Sequence, residues 1–311
     1  MSHAVETMFY VKETPWHGLG KKLDSAPTIS QAIVDAGLDW NVSLRELFTG
    51  DGVKVSHRAT CRDTDGSILG VVGPRYVPLQ NNAAFDWFQP FVDSGECSLH
   101  TAGSLHEGQK VWVLAQLNRT NSEIVPGDEI SKFLLLSNSH DGSTAIRVGF
   151  TPIRVVCANT MAMAHQCDQS KLIRIRHTKS SRQNLDKVRE VMDTINASFE
   201  ATAEQFKFLA SRNFNQDDVS KYVKMVLNVE NATELPTKTQ NIISSIMECI
   251  EGPMQSAPNV AGTWWAAYNG VNEYLNYKKG RTQENRMNNL WFGTGLAENR
   301  KALDLALTLA A

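Results

Sequence analysis

The amino-acid sequence predicts an α+β fold: an antiparallel β-hairpin sheet with an inserted helix, followed by a helical C-terminal module. Between residues 51 and 156, short runs of alternating apolar and polar residues are joined by turn residues, which is typical of strands. From about residue 157 the apolar spacing changes to three and four residues, the period of amphipathic helices. A doubly wound sheet would alternate strands with helices along the chain, which this pattern excludes.

The chain is expected to have three parts: a leading segment over residues 1–50, a sheet module over 51–178 and a helical module over 179–311. In the leading segment, a proline and two glycines within residues 14–20 predict a loop. A short helix follows, capped by Thr28 or Ser30 and ended by Gly37. Alternation from Trp40 to Leu44 then predicts a strand.

Hairpins define the sheet module. Their predicted turns lie at residues 63–66, 107–108 and 138–143. Between the first two hairpins, Asn81 or Asn82 is expected to cap one helix that runs through Phe85 and Phe88 and ends at Gly95. In the third turn, Gly142 is expected at a positive φ.

The helical module begins with an apolar stripe from Leu185 to Leu209, which predicts one long amphipathic helix. Further helices are expected near residues 217–227, 234–251, 260–279 and 296–310. Bulky aromatic side chains crowd the end of this module: Trp264, Trp265, Tyr268 and Trp291. Such rings serve either the core of the chain or an interface between subunits. Both interpretations stay open, and the second predicts a homo-oligomer.

Composition places the chain among globular proteins. Its 311 residues are 42% hydrophobic and 21% charged, with a net charge of -2, which excludes a disordered or fibrous chain. No apolar run is long enough to span a membrane, and the first residues lack the apolar region of a secretory signal. An odd number of widely spaced cysteines indicates reduced thiols. We therefore expect a cytoplasmic protein without a membrane partner.

Motifs for cofactor chemistry are incomplete. Gly18-Leu19-Gly20-Lys21 lacks the first glycine and the hydroxyl residue of a phosphate-binding loop. Gly293-Thr294-Gly295 is too short for a dinucleotide fingerprint. His140-Asp141 lies in a predicted turn, and the backbone geometry of that turn already explains its Asp-Gly pair. The sequence contains no Gly-x-Ser-x-Gly nucleophile elbow. We expect no cofactor, no metal and no enzymatic activity.

Charge placement is the strongest functional signal. Between Lys171 and Arg189, lysines and arginines accumulate against the single acid Asp186, which is the pattern of a surface for a polyanion. The alternative is a solvated strand face followed by a salt-bridged helix. The predicted nucleic-acid-binding residues are Arg147, Arg154, Arg174, Arg176, His177, Lys179 and Arg182.

Several segments in order resemble the signatures of a phage/plasmid-like family that is catalogued as a domain of unknown function and carried by bacteriophages, prophages and plasmids. These segments are residues 14–20, 73–81, 139–143, 151–160, 176–178, 263–274 and 291–293. The resemblance covers nearly the whole chain. It implies a bacterial host cell and carries over no catalytic residue.

A looser similarity points to single-strand annealing proteins of the RecT, Redβ and Erf type. Proteins of this type form rings or filaments and hold single-stranded DNA by its phosphates along a basic groove, without ATP. This similarity implies an ATP-independent protein of phage or plasmid recombination or replication that binds and anneals single-stranded DNA as a homo-oligomer. The alternative is a non-enzymatic interaction or regulatory protein that uses its aromatic helical module.

Overall fold

The computed structural model describes residues 5–11, 20–117, 122–154, 173–188, 192–280 and 294–311. It confirms the predicted α+β class, with sheets of mainly antiparallel strands and a helical C-terminal region. The described residues fall into two compact units. The first takes its residues from the ranges 1–120, 133–150 and 170–196, and the second from 121–132, 151–169 and 197–311.

Two sheets contain the strands of the first unit. The strands of the chain are β1 (Val5–Val11), β2 (Lys21–Leu23), β3 (Val42–Phe48), β4 (Lys54–Arg62), β5 (Ile68–Val72), β6 (Cys97–Leu105), β7 (Lys110–Leu117), β8 (Ser122–Val125), β9 (Asp128–Ser139), β10 (Ile146–Arg154) and β11 (Ile173–Ile175). The larger sheet has the order β11-β10-β9-β7-β6-β1-β2, and the smaller has the order β3-β4-β5. In the second unit, β8 pairs with the first residues of β9.

The first two predicted hairpins are confirmed. β4 pairs antiparallel with β5, and β6 with β7. Their turns use the left-handed backbone that glycine favours, with φ of 72° at Gly66 and 85° at Gly108. Strands β9 and β10 lie on either side of the third predicted turn and are neighbours in the sheet.

The helices of the first unit only partly match the prediction. They are α1 (Ile29–Asp35), α2 (Asn81–Asp86), α3 (Gln89–Asp93), α4 (Ser181–Val188) and the start of α5 (Met192–Ala210). Of the two predicted caps of α1, Thr28 is the one that forms, in a capping box with Gln31. The prediction of a single inserted helix is wrong. Helix α2 ends at Asp86, and α3 begins at Gln89 with Pro90, which lacks a backbone N–H, in its first turn. The N-cap of α2 is Gln80 rather than an asparagine.

Apolar side chains from these helices cover the larger sheet. Phe85, Trp87 and Phe88 are at most 2% exposed and belong to one core with Phe9 of β1 and Leu185 of α4. Trp87 Nε1 also donates a hydrogen bond of 2.9 Å to the Leu185 backbone oxygen. Burying each large apolar side chain contributes about 1.5–3 kcal/mol. The sheet therefore offers a fixed base for the loops and charges at its edge.

Helices α6 (Gln216–Val226), α7 (Thr237–Ile250), α8 (Trp264–Glu273) and α9 (Thr294–Ala310) complete the second unit with most of α5. The predicted long helix from Leu185 to Leu209 corresponds to α4 and α5, and residues 189–191 between them lie outside the described residues. Among the described residues, no helix is both long and apolar enough to cross a membrane.

The aromatic side chains of α8 are internal. Trp264 is 2% exposed, and Trp265 and Tyr268 are fully buried. Trp264 contacts Tyr222 edge to face, with ring centroids 5.5 Å apart. These three rings therefore belong to the core of the second unit, so the interpretation of their surface as a subunit interface is wrong. Trp291 lies outside the described residues.

Candidate nucleic-acid interface and adjoining cavity

Two of the predicted contact residues face each other across neighbouring strands. Arg147 of β10 and Arg174 of β11 are direct partners in the antiparallel register. Arg147 is half-buried and Arg174 is exposed. Like charges placed directly opposite destabilise a strand pair.

Lys110 of β7 extends this positive surface. Burial lowers the pKa of Lys110, the charge of Arg147 lowers it further, and Asp141 acts in the opposite direction. Burial likewise lowers the pKa of Arg147, and Arg174 adds to the effect. Arg147 therefore interacts electrostatically with both Lys110 and Arg174, and we call Lys110, Arg147 and Arg174 the basic row. Sequence reasoning missed Lys110, because only strand pairing brings it near the others.

The remaining predicted residues have different environments. Arg176, Lys179 and Arg182 are exposed in the chain that leads from β11 into α4. Arg154 lies in β10, but its side chain is outside the described residues. His177 is only 8% exposed. The exposed cations can therefore meet a polyanion directly, whereas His177 can be reached only through the cavity that it lines.

A cavity of about 500 Å³ lies beside the exposed cations. Three separate segments line it: residues 73–76 after β5, residues 142–145 before β10, and residues 176–178 after β11. Arg75 and Arg176 are exposed at this cavity, while Tyr76 and His177 are buried. Each segment lies within or next to one of the family-like signatures of the sequence. Arg75 and Tyr76 were assigned no role from the sequence, because nothing in one sequence places them beside His177.

His177 is held by its neighbours but lacks hydrogen bonds on its ring. The ring stacks on Tyr76 with centroids 4.6 Å apart and planes 26° from parallel. Its backbone oxygen accepts a hydrogen bond of 3.1 Å from Val77 N. The ring nitrogens make no hydrogen bond of good geometry, although the backbone of Val77 and Thr144 lies close enough to act on the ring as a hydrogen-bond acceptor. The backbone at Val77 and Thr144 favours the charged ring, but burial outweighs it and lowers the pKa of His177 to about 4.

The turn between β9 and β10 forms one wall of the cavity. Tyr76 Oη donates a hydrogen bond of 2.7 Å to the Ser139 backbone oxygen, which ties this turn to the segment after β5. Ser143 N donates to Asp141 Oδ1 at 2.9 Å. Gly70 packs so closely that a Cβ there would lie 2.5 Å from Asp141 Cα. These contacts fix the wall against β5.

Behind this wall lies a buried polar network. Asn81 Nδ2 donates to the backbone oxygens of Leu38 and Trp40 at 3.1 and 3.2 Å. Asn81 Oδ1 is therefore free to accept from His140 Nε2, at 2.9 Å. Burial first, then the charges of His177 and Arg62, lower the pKa of His140 to about 3. In the described part of the chain, no group of three or more His, Cys, Asp and Glu side chains could hold a metal ion.

Gly142 gives a direct test of the turn geometry. Its φ is 74°, and a Cβ there would lie 2.9 Å from Val72 Cγ1. We expect Gly142→Ala to lower the free energy of unfolding by about 1 kcal/mol or more, from backbone strain and crowding. Urea unfolding measures this change. Gly50→Ala is the control, since a Cβ at Gly50 meets nothing within 4 Å; equal stability of both variants would contradict the assignment.

Comparison with known proteins gives one match. A family model described as "Domain of unknown function (DUF932)" matches residues 68–291. This range includes all three cavity segments and the basic row. No curated protein and no solved structure matches the chain.

Proposed function

Since the chain belongs to the DUF932 family, whose description assigns no activity, we propose from its own geometry that it binds and anneals single-stranded DNA without ATP. The proposed setting is the recombination or replication of a phage or plasmid. DNA phosphates would lie along the basic row and the exposed cations that follow β11. In this arrangement the protein contacts the backbone and leaves the bases free to pair.

The direct pairing of Arg147 with Arg174 is the observation that carries this proposal. Most protein–DNA hydrogen bonds go to phosphates and sugars, and arginine is well suited to phosphate. Arginines that face each other across strands stand at a fixed spacing set by the sheet. Beyond them, Arg176, Lys179 and Arg182 continue the exposed positive charge along the chain. The surface therefore offers several phosphate contacts on a rigid base.

Annealing adds a requirement for assembly. Holding two strands in register requires more nucleotides than one short surface can bind, so the proposal includes a homo-oligomer that places many basic rows side by side. The buried rings of α8 do not form its interface. The alternative of an interaction protein that docks through this aromatic module is correspondingly weakened, because these rings do not provide a partner surface.

The first test is the salt dependence of single-strand binding. We expect Arg174→Ala combined with Lys179→Ala to weaken binding of a labelled oligonucleotide and to flatten the slope of log K against log salt. The slope should change by about 0.7 for each phosphate that the variant no longer neutralises, because fewer counterions are released. Fluorescence anisotropy at several salt concentrations measures both quantities.

A matched control removes the same charge elsewhere in the first unit. Lys22 of β2 and Arg45 of β3 are both exposed, and their double alanine variant should keep most of the affinity and the slope. Equal losses in the two double variants would overturn the proposed surface. Two further measurements test the annealing activity and the homo-oligomer. The protein should anneal two complementary strands without ATP, and light scattering with DNA should show a particle heavier than the 34.5 kDa chain. A protein that stays monomeric and leaves the annealing rate unchanged would refute them.

A further inference from the structure

The cavity beside the basic row has features that a phosphate contact surface does not require. Its volume of about 500 Å³ is within the range of pockets that hold small molecules, about 300–1,000 Å³. A buried polar side chain normally has hydrogen-bond partners, because leaving it unpaired costs stability. His177 lines the cavity and is only 8% exposed, and its two ring nitrogens make no hydrogen bond of good geometry. Both nitrogens are enclosed, so a small shift of the ring would bring them to a ligand in the cavity.

The lining chemistry fits a phosphorylated organic molecule. Arg75 and Arg176 bring two guanidinium groups, and none of the lining residues is acidic. Asp141 adjoins the lining segment in sequence and its charge acts on Tyr76 and His177, but the two arginines at the cavity outnumber it. A terminal phosphate carries up to two negative charges at neutral pH, which two arginines match. The hydroxyls of Ser143 and Thr144, on the same lining segment, are further donors.

The rest of the lining suits more than a bare phosphate. Pro74, the Tyr76 ring and Ala145 give the cavity an apolar wall. A neutral imidazole carries one donor and one acceptor nitrogen. That combination can pair with the edge of a nucleobase or with a sugar hydroxyl. Apolar lining with a few convergent polar groups is the usual composition of a small-molecule site.

We propose that this cavity binds a nucleotide through its terminal phosphate monoester, with the phosphate at Arg75 and Arg176 and the nucleoside against the wall that ends at His177. Such a nucleotide can be free in solution or stand at the 5′ end of a DNA strand. The inference goes beyond the proposed strand binding. The nucleotide site can be tested independently of strand binding, because binding of a free nucleotide is measured without any DNA strand.

Isothermal titration calorimetry with thymidine monophosphate tests the site. We expect one monophosphate per chain, bound about tenfold or more tightly than thymidine, which lacks the phosphate that the arginines contact, or inorganic phosphate, which lacks the nucleoside. Arg75→Gln should weaken monophosphate binding by about tenfold. Arg45→Gln, which removes an exposed charge from β3, should leave it unchanged.

A second variant tests the buried ring. His177→Phe keeps an aromatic ring against Tyr76 and removes both ring nitrogens. We expect it to weaken monophosphate binding while circular dichroism shows an intact fold. The variant Arg174→Ala with Lys179→Ala should bind the monophosphate as the unmodified chain does, because neither residue lines the cavity. Failure of this site is therefore distinguishable from failure of the basic row.

Two oligonucleotides of one sequence, with and without a 5′ phosphate, separate the sources of the ligand. If the chain prefers the phosphorylated strand and Arg75→Gln abolishes that preference, the cavity binds the end of a strand. Equal binding of both strands together with tight binding of the monophosphate assigns it to a free nucleotide. Absence of binding to the monophosphate and to the phosphorylated end by the folded chain would overturn the proposal. Equal losses of monophosphate affinity in Arg75→Gln and Arg45→Gln would also overturn the proposed site. Equal affinity for inorganic phosphate and the monophosphate would do the same.

Discussion

Replacing Trp265 with alanine is expected to lower the free energy of unfolding by about 3–5 kcal/mol, the usual cost of deleting a large buried ring. The side chain is fully buried and lies against Phe206, with ring centroids 4.7 Å apart. Trp265 Nε1 donates a hydrogen bond of 2.8 Å to Asp128 Oδ2. The truncation therefore leaves a cavity and removes a donor from a buried carboxylate.

Two further variants separate the causes of this loss. Trp265→Phe keeps a ring but removes the N–H donor, and it should cost about 1.5–3 kcal/mol, the contribution of a hydrogen bond to a charged group. Phe48→Ala deletes a ring that is 58% exposed and should change stability by about 0.5 kcal/mol or less. Urea unfolding followed by circular dichroism measures all three. A Trp265→Ala variant as stable as the Phe48→Ala variant would show that the ring is not part of the core.

Acid should destabilise the first unit through its two buried histidines. In the folded chain the pKa of His140 is lowered to about 3 and that of His177 to about 4, whereas an unfolded histidine has a pKa of about 6.5. Below pH 6.5 the unfolded chain therefore binds protons that the folded chain does not. Stability is full above that pH and falls as the pH decreases. Between pH 6.5 and 5, each ring should cost about 2 kcal/mol.

Burial sets the sign of the effect, and the charged groups around these rings modify its size. Arg62 disfavours the charged form of His140, while Asp141 favours that of His177 without offsetting its burial. Urea unfolding at pH 7 and pH 5 measures the loss, and His177→Phe should remove about half of it. A comparison of pH 8 with pH 7 is the control, since the folded rings are neutral there and the unfolded histidines are mostly neutral, so the two rings should together contribute only about 0.3 kcal/mol. Equal stability at pH 5 and pH 7 would show that the rings are not buried in neutral form.

Local chemistry along the chain predicted much of the fold. Alternating apolar residues predicted β4 through β7, because side chains on a strand point to opposite faces. Gly66 marks a turn that needs positive φ, and Thr28 marks the start of α1 by capping its free N–H groups. The division of the inserted helix at Pro90 was missed. The proline was visible, but a continuous apolar stripe from Phe85 to Val92 favoured one helix.

The candidate site was predicted in part. Clustering in sequence identified Arg174, Arg176, Lys179 and Arg182 as an exposed positive segment, and alternation correctly placed Arg174 and Ile175 on opposite faces of β11. The same pattern could not show that His177 is buried. It lies after the strand ends, where alternation no longer applies, and its burial depends on Tyr76, which is distant in sequence.

The sequence by itself determined the α+β class, the hairpin turns, the first helix cap and the position of the basic segment, because each depends on residues close together along the chain. Tertiary structure decided which residues meet. Strand register placed Arg147 opposite Arg174, and three segments far apart in sequence came together around one cavity. It also placed Trp265 in a core rather than on a surface. Contacts of this kind depend on how distant segments pack against one another, and no local pattern of residue types contains that information.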